Sequence, residues 1–229
     1  MVKKALLSRC GGKLTLQEAT DGMNAAIKNA LRLLNDAEIL IKHERYATAL
    51  SLSILAIEEA GKITILRQML TCEDGEEDRI WKSYRNHRAK NVMWILPSLA
   101  AQGAKSLIEL REAANPSGEH TKLLDLIKQL GFYTDFVGNR NWSQPDHVAD
   151  KNLTESIFSI ANIVCRKRNI TTQENEAWIK HLGKQSIHGM NKLGLKEYFK
   201  ELMESGLIEK EEINIQSFLH ELSEKPENC

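Results

Sequence analysis

Residues 46–71 place two acids inside a helix that has no polar face. From residue 49 to 57 the chain reads Ala-Leu-Ser-Leu-Ser-Ile-Leu-Ala-Ile, small or apolar all round. Glu58, Glu59 and, a turn later, Lys62 follow directly. A helix apolar on every side is one enclosed by others. An ionised carboxylate in such a place is costly unless it is paired or hydrogen-bonded. Lys62 stands four residues from Glu58 and three from Glu59, so it meets one of them on the same face. The other acid needs a group from elsewhere in the chain. The fold must therefore wrap helices around residues 46–71 and deliver a partner to this point. Gly61, with no side chain, suits close approach there.

The rest of the chain reads as helices too, and the expected fold class is all-α. No stretch alternates in the way a strand does, and Pro and Gly number only 4 and 13 in 229 residues. Thr15-Leu-Gln-Glu18 is a capping box. It opens a long helix whose stripe is Leu16, Ala19, Met23, Ala26, Ala30, Leu34, Ala37 and Ile41. The polar link at 42–45 is so short that this helix and the central one must form an antiparallel hairpin. After an acidic break at 72–78, residues 80–90 read as one helix. Further helices are expected over 92–99 and 104–113, through Leu123, Leu124, Ile127 and Leu130, and through Leu153, Ile157, Ile160 and Val164. Residues 138–147 read as a polar loop. Thr171-Thr-Gln-Glu174 has the form of a second capping box, with helical pieces at 195–203 and 213–222 beyond it. The organisation expected is a basic N-terminal arm (1–13), a helical domain (14–170) and a helical C-terminal extension (171–229). With 42% hydrophobic and 27% charged residues the chain is large enough for one such domain and an appendage.

Several function classes find no support. Lysine plus arginine and aspartate plus glutamate balance at 31 each, so net charge does not mark a nucleic-acid binder; any such contact must use local patches. Cys10, Cys72, Cys165 and Cys229 are scattered singly, without metal-ligand or disulfide spacing. There is no signal-peptide pattern and no apolar run of the ~18 residues a membrane span needs. A cytoplasmic protein without membrane contact, metal or other cofactor is the expectation. No Gly-rich phosphate loop or nucleophile elbow occurs.

Three groups of residues carry potential chemistry. The first is Glu58-Glu59-Ala-Gly-Lys62, either a structural ion-pair cluster or a site where a carboxylate orients a cation or histidine. The second lies in residues 80–90, where Lys82, Arg85, Arg88 and Lys90 occur with no acid and are interleaved with Trp81, Tyr84 and His87. A charged run is usually a solvated face. Yet His and Arg are the pair that RNA backbone cleavage needs without a metal: imidazole moves the proton of the 2′-oxygen, guanidinium holds the phosphate. The third is Arg140-Asn141 with His147, in a loop preceding a helix; helix N-termini favour anions. His43, His120, His181, His188 and His220 read as surface residues.

Residues 45–62, Arg-Tyr-Ala-Thr-Ala-Leu-Ser-Leu-Ser-Ile-Leu-Ala-Ile-Glu-Glu-Ala-Gly-Lys, resemble the signature of the AbiV abortive-infection proteins, a branch of the HEPN superfamily. So do Asn29-Ala-Leu-Arg-Leu-Leu-Asn-Asp-Ala-Glu-Ile-Leu before them and Trp81-Lys-Ser-Tyr-Arg-Asn-His-Arg-Ala-Lys90 after them. Gly131-Phe-Tyr-Thr-Asp135 and residues 142–145 resemble its later segment, and the likeness spans roughly residues 20–165. It implies a bacterial phage-defence protein built as a helical bundle, commonly a homodimer with two active sites paired across the interface. Many HEPN proteins are metal-independent ribonucleases with an Arg, often followed by a polar residue, and a His a few residues on.

Arg140-Asn141 to His147 fits that spacing; Arg85 to His87 is too close. The resemblance therefore leaves three alternatives: catalysis by Arg140 and His147, catalysis by a constellation on His87 with Arg85, or no cleavage. In the first two, Glu58 or Glu59 orients the reacting groups, while Lys62, Lys82, Arg88, Lys90 and Asn141 bind RNA and a phage protein is a possible activator. In the third, the chain is a helical binding protein that blocks translation or binds a phage protein. Residues 171–229 lie outside the resemblance. From residue 191 onward nine acids face five lysines, a charge suited to shielding basic patches.

Overall fold

Enclosure of the central helix organises the structure, a computed structural model that describes residues 11–92, 116–138, 140–183 and 192–208. Helix α1 (Leu16–Lys42) and helix α2 (Tyr46–Thr71) form the expected hairpin. Ala30, Leu33 and Leu34 pack with Ala47, Leu50 and Ile54 near the turn, and Met23 and Ile27 pack with Leu66 at the far end, so the two run antiparallel. The Thr15–Glu18 capping box forms in both directions: the Thr15 hydroxyl accepts from Glu18 N–H and the Glu18 carboxylate accepts from Thr15 N–H. That bond to Thr15 holds the Glu18 carboxyl below its ordinary range.

Helix α2 is enclosed as its sequence requires. Ala49, Leu50, Ile54, Ala56 and Ile57 are fully buried. Helix α7 (Lys151–Val164) covers one side through Ile157 and Ala161, and α5 (Glu119–Phe132) covers another through Leu124. Two short helices, α3 (Glu77–Arg85) and α4 (His87–Lys90), close the C-terminal half of α2, with Ile80 buried against Ile65 and Met69. Lys13 pairs with Asp74, and the Trp81 indole N–H donates to the Gly12 carbonyl, so the end of the N-terminal arm is tied to α3.

Three local expectations are corrected. Residues 80–90 are not one helix: Asn86 is extended and its side chain caps the next turn, accepting from Arg88 and Ala89 N–H. The polar loop contains a small antiparallel ladder of β1 (Phe136–Val137) and β2 (Asn141–Trp142), followed by the single turn α6 (Pro145–Val148). The second capping box is half made. Thr171 accepts from Glu174 N–H, but the Glu174 carboxylate is drawn away by Arg67, Arg168 and the Tyr198 hydroxyl.

Glu174 opens helix α8 (Thr172–Leu182), which pairs with α9 (Lys192–Glu204) through Ala177, Leu182, Leu195, Tyr198 and Leu202. His181, expected at the surface, instead packs in this pair and shares a hydrogen bond of 2.7 Å with Glu201. Asn175 donates to Thr20, and Asn24 exchanges two hydrogen bonds with the Ile170 backbone, which fastens α8 to α1. Residues 93–99 of the helix expected at 92–99, the helices expected at 104–113 and 213–222, and residues 1–10 of the arm lie outside the described residues.

Candidate functional site around Glu58

The buried acid is Glu58, and its partners come from two other helices. Lys62 takes Glu59 instead, at 2.6 Å, and also lies 5.2 Å from the Tyr84 ring centroid. Glu58, 2% exposed, faces α4 and α5. One oxygen meets His87 Nδ1 at 2.6 Å and has Lys90 Nζ at 3.6 Å; the other accepts from Lys128 Nζ at 2.6 Å. Asn91, fully buried, places its amide 3.5 Å from the same carboxylate.

The break at Asn86 makes this geometry. An unbroken helix through 80–90 would carry His87 along the rim of α3. The extended Asn86 restarts the helix at a new angle, which turns His87 and Lys90 to α2. Gly61 permits the approach: a Cβ there would lie 1.9 Å from the Lys90 carbonyl oxygen. Gly131 does the same for α5, where a Cβ would lie 2.3 Å from Ser51 Oγ. Ser51 in turn donates to the Lys128 carbonyl, which sets the register that aims Lys128 at Glu58.

The site is electrostatically closed on its inner side and open on its outer side. Lys128 and Lys90 are buried, and desolvation pushes the Lys90 ammonium below its usual pKa, with Glu58 opposing. The His87 side chain is 51% exposed. Its Nδ1 faces the buried carboxylate, which favours the tautomer with the proton on Nδ1. Glu58, His87 and Asp125 bring possible metal-ligating atoms within 4.8 Å of one another. Lys128 bonds both carboxylates, Glu58 at 2.6 Å and Asp125 at 2.8 Å, so an ammonium already serves the point where a cation would sit.

The remaining predicted residues fall in two places. Arg85, Lys82 and Arg88 are exposed around His87, with the Arg85 guanidinium 5.6 Å from the Trp81 ring centroid. Lys90 faces Glu58 rather than solvent. Arg140, Asn141 and His147 are exposed on the β1–β2 turn, on β2 and on α6. Arg140 lies over the Phe136 ring at 5.8 Å. His147 precedes α7, but the N-terminus of that helix is already capped by Asp150, which accepts from Leu153 N–H. The residue that sequence reasoning missed is Lys128. It sits in an amphipathic helix where a lysine ordinarily faces water, and only the lack of a second cation for Glu58 hinted at it.

The family model for AbiV, HEPN_AbiV, matches residues 18–166. The chain belongs to the AbiV family of HEPN proteins. The matched stretch runs from α1 to the end of α7 and contains Glu58, Glu59, Lys62, His87, Lys90 and Lys128. Helices α8 and α9 lie beyond it. AbiV membership places the protein in abortive-infection defence and agrees with the all-α bundle. Neither curated proteins nor solved structures provide a significant match. Among the described residues no helix is long and apolar enough to cross a membrane.

Proposed function

We propose that this AbiV protein is a metal-independent endoribonuclease of phage defence in which His87, oriented by Glu58, is the acid–base group. The observation that supports this is the 2.6 Å contact between His87 Nδ1 and the buried Glu58 carboxylate, with half of the His87 side chain exposed. A fixed carboxylate behind an imidazole sets both its tautomer and its direction. His87 Nε2 takes the 2′-hydroxyl proton, the 2′-oxygen attacks phosphorus, and the 5′-oxygen leaves with a proton from a second acid. The products are a 2′,3′-cyclic phosphate and a free 5′-hydroxyl. Arg85 and Arg88, exposed beside His87, are the cations for the phosphate and its developing charge. Pairing of two copies, common among HEPN proteins, would supply the second imidazole. Lys128 holds the carboxylates in the manner a metal would and supports chemistry without one. The reaction belongs in the cytoplasm, on host or phage RNA, with a phage product as trigger.

A non-catalytic reading draws on one observation: Lys128 and Lys90 alone balance Glu58, so the cluster also serves packing. Induced expression separates the two, with growth and cellular RNA followed with and without phage. Wild type is expected to arrest growth and fragment RNA. Both effects should fall by about 10²-fold or more in His87→Ala, the usual worth of general acid–base catalysis. His147→Ala should behave as wild type. Arrest with intact RNA, indifferent to His87→Ala, would establish the binding reading. RNA cleavage lost with His147→Ala and kept with His87→Ala would transfer the reaction to Arg140 and His147.

A further inference from the structure

We infer that Tyr133, Phe136, Arg140, Asn141 and Trp142 form a stacking platform for unpaired nucleobases, with single-stranded RNA as its ligand; this rests on the RNA reading above and extends it to a surface outside the Glu58 cluster. Three aromatic side chains stand in water within ten residues: Tyr133 is 62% exposed, Phe136 48% and Trp142 70%. Among the described residues, none belongs to the hydrophobic clusters that hold the bundle, so packing within those clusters does not account for them. Phe136 and Trp142 are direct cross-strand partners, with ring centroids 5.3 Å apart and planes tilted 51°.

A cation and an amide are interleaved with the rings. The Arg140 guanidinium lies over Phe136, and Asn141 is exposed beside Trp142. Arg140 has φ 61°, a left-handed backbone conformation that glycine or asparagine adopts more cheaply. A long cation held at such a position indicates a use for it at the surface. The Asp135 carboxylate accepts from Phe136 N–H.

The frame is rigid. Ser143 N–H donates to the Asp135 carbonyl at 2.7 Å, Asp135 N–H donates to Ser143 Oγ at 2.9 Å, and Ser143 is buried. The platform also continues from α5, the helix that delivers Lys128 to Glu58. Tyr133 is the extended residue directly after the last turn of α5. Planar π faces alternating with a guanidinium and an amide suit bases and phosphates, whereas a protein partner calls for a more continuous apolar patch. Every base has a π face, so such a surface takes unpaired strands with little sequence preference.

The test uses the full chain in the His87→Ala background, to prevent cleavage, and a short single-stranded RNA carrying 2-aminopurine. Stacking quenches this fluorophore, and its titration gives the affinity. Trp142→Ala should weaken binding about tenfold and abolish the quench, and Trp142→Phe should restore most of both. Arg140→Ala should reduce the slope of log affinity against log salt by about 0.7, while Trp142→Ala leaves that slope unchanged. A duplex of equal length should compete poorly.

Equal binding by Trp142→Ala and its parent overturns the platform, as does absence of RNA binding by the parent. Conversion of a dimer to a monomer by Trp142→Ala, with RNA affinity intact, would also overturn it and make this surface an interface between copies. RNA that binds through Trp142 but is never cleaved by the wild-type chain removes the ribonuclease reading and leaves the platform. RNA cleaved by wild type, with Trp142→Ala binding unchanged, does the reverse.

Discussion

Glu58 shows how a single carboxylate is made tolerable in a core and useful at its edge. Its inner oxygen is held by Lys128, its outer one by His87, with Lys90 close by. Removing one partner of a buried pair leaves a charge without compensation, which is far more costly than the pair itself is beneficial. Lys128→Met should therefore destabilise the protein by about 3 kcal/mol. Glu58→Gln in the same chain should recover part of that loss, because the stranded charge goes with it. Urea unfolding of the two single variants and the double variant gives the coupling; simple additivity would mean that Lys128 and Glu58 do not act together. The same cluster shows why Glu59 and Glu58 differ although adjacent. Glu59 finds Lys62 within its own helix, whereas Glu58 points into the bundle and depends on two other helices.

At the scale of elements, the decisive contacts are those where backbones nearly touch. Helix α4 lies so close to α2 at Gly61 that a methyl group would overlap the Lys90 carbonyl, which cannot swing aside as a side chain can. Gly61→Ala should push α4 off α2, cost about 2 kcal/mol and loosen the His87–Glu58 contact with it. Gly22 is an internal comparison. A Cβ there meets only the end of the Leu66 side chain, at 3.3 Å. Gly22→Ala should be close to neutral, since helix propensity favours alanine by about 1 kcal/mol and offsets a small shift of Leu66. Thermal denaturation of the two variants, with the His87 imidazole followed by NMR, tests both claims. Equal behaviour of Gly61→Ala and Gly22→Ala would show that the α2–α4 approach is not tight.

At the scale of the whole molecule, helices α8 and α9 are joined to the family bundle by a buried polar knot. Glu174 meets Arg67 and Arg168, Tyr198 donates to Glu174, and the Arg67 guanidinium lies 4.5 Å from the Trp178 ring centroid. Burial pushes the Tyr198 phenol from its ordinary 10.0 up to about 12, and the Cys165 thiol from 9.0 up to about 12. Raised acid pKa values mean that the native state holds protons the unfolded chain has released. Their contribution is fully present below the ordinary pKa values and is lost as pH rises toward 12. Lys90 acts in the opposite sense, since its lowered pKa adds stability as pH approaches its ordinary 10.5. The unfolding free energy from urea titrations should accordingly fall steeply above pH ~10.5, by up to about 3 kcal/mol for the phenol alone. Tyr198→Phe should flatten that limb while costing about 1 kcal/mol at neutral pH for the lost hydrogen bond. An unchanged alkaline limb would mean that the phenol ionises freely in the folded protein.

What the chain says by itself and what the tertiary structure adds divide along sequence distance. Apolar periodicity, the capping box at Thr15 and the short link at 42–45 act within a few turns. They were enough for an all-α fold, an antiparallel hairpin and an enclosed central helix. The impossibility of an unpaired carboxylate in that helix was equally local, and the run around Glu58 carried the AbiV likeness. Which acid needed outside help, and from whom, was settled only by packing. His87 lies 29 residues from Glu58 and Lys128 lies 70, and no local pattern distinguishes Lys128 from a solvent-facing lysine. The break at Asn86 is decided in the same way. Residues 80–90 favour continuous helix by propensity, but closing α4 onto Gly61 and satisfying Glu58 outweigh one interrupted turn. Long-range burial of charge is a property of the assembled bundle, so it is written in the sequence as a requirement and met only in three dimensions.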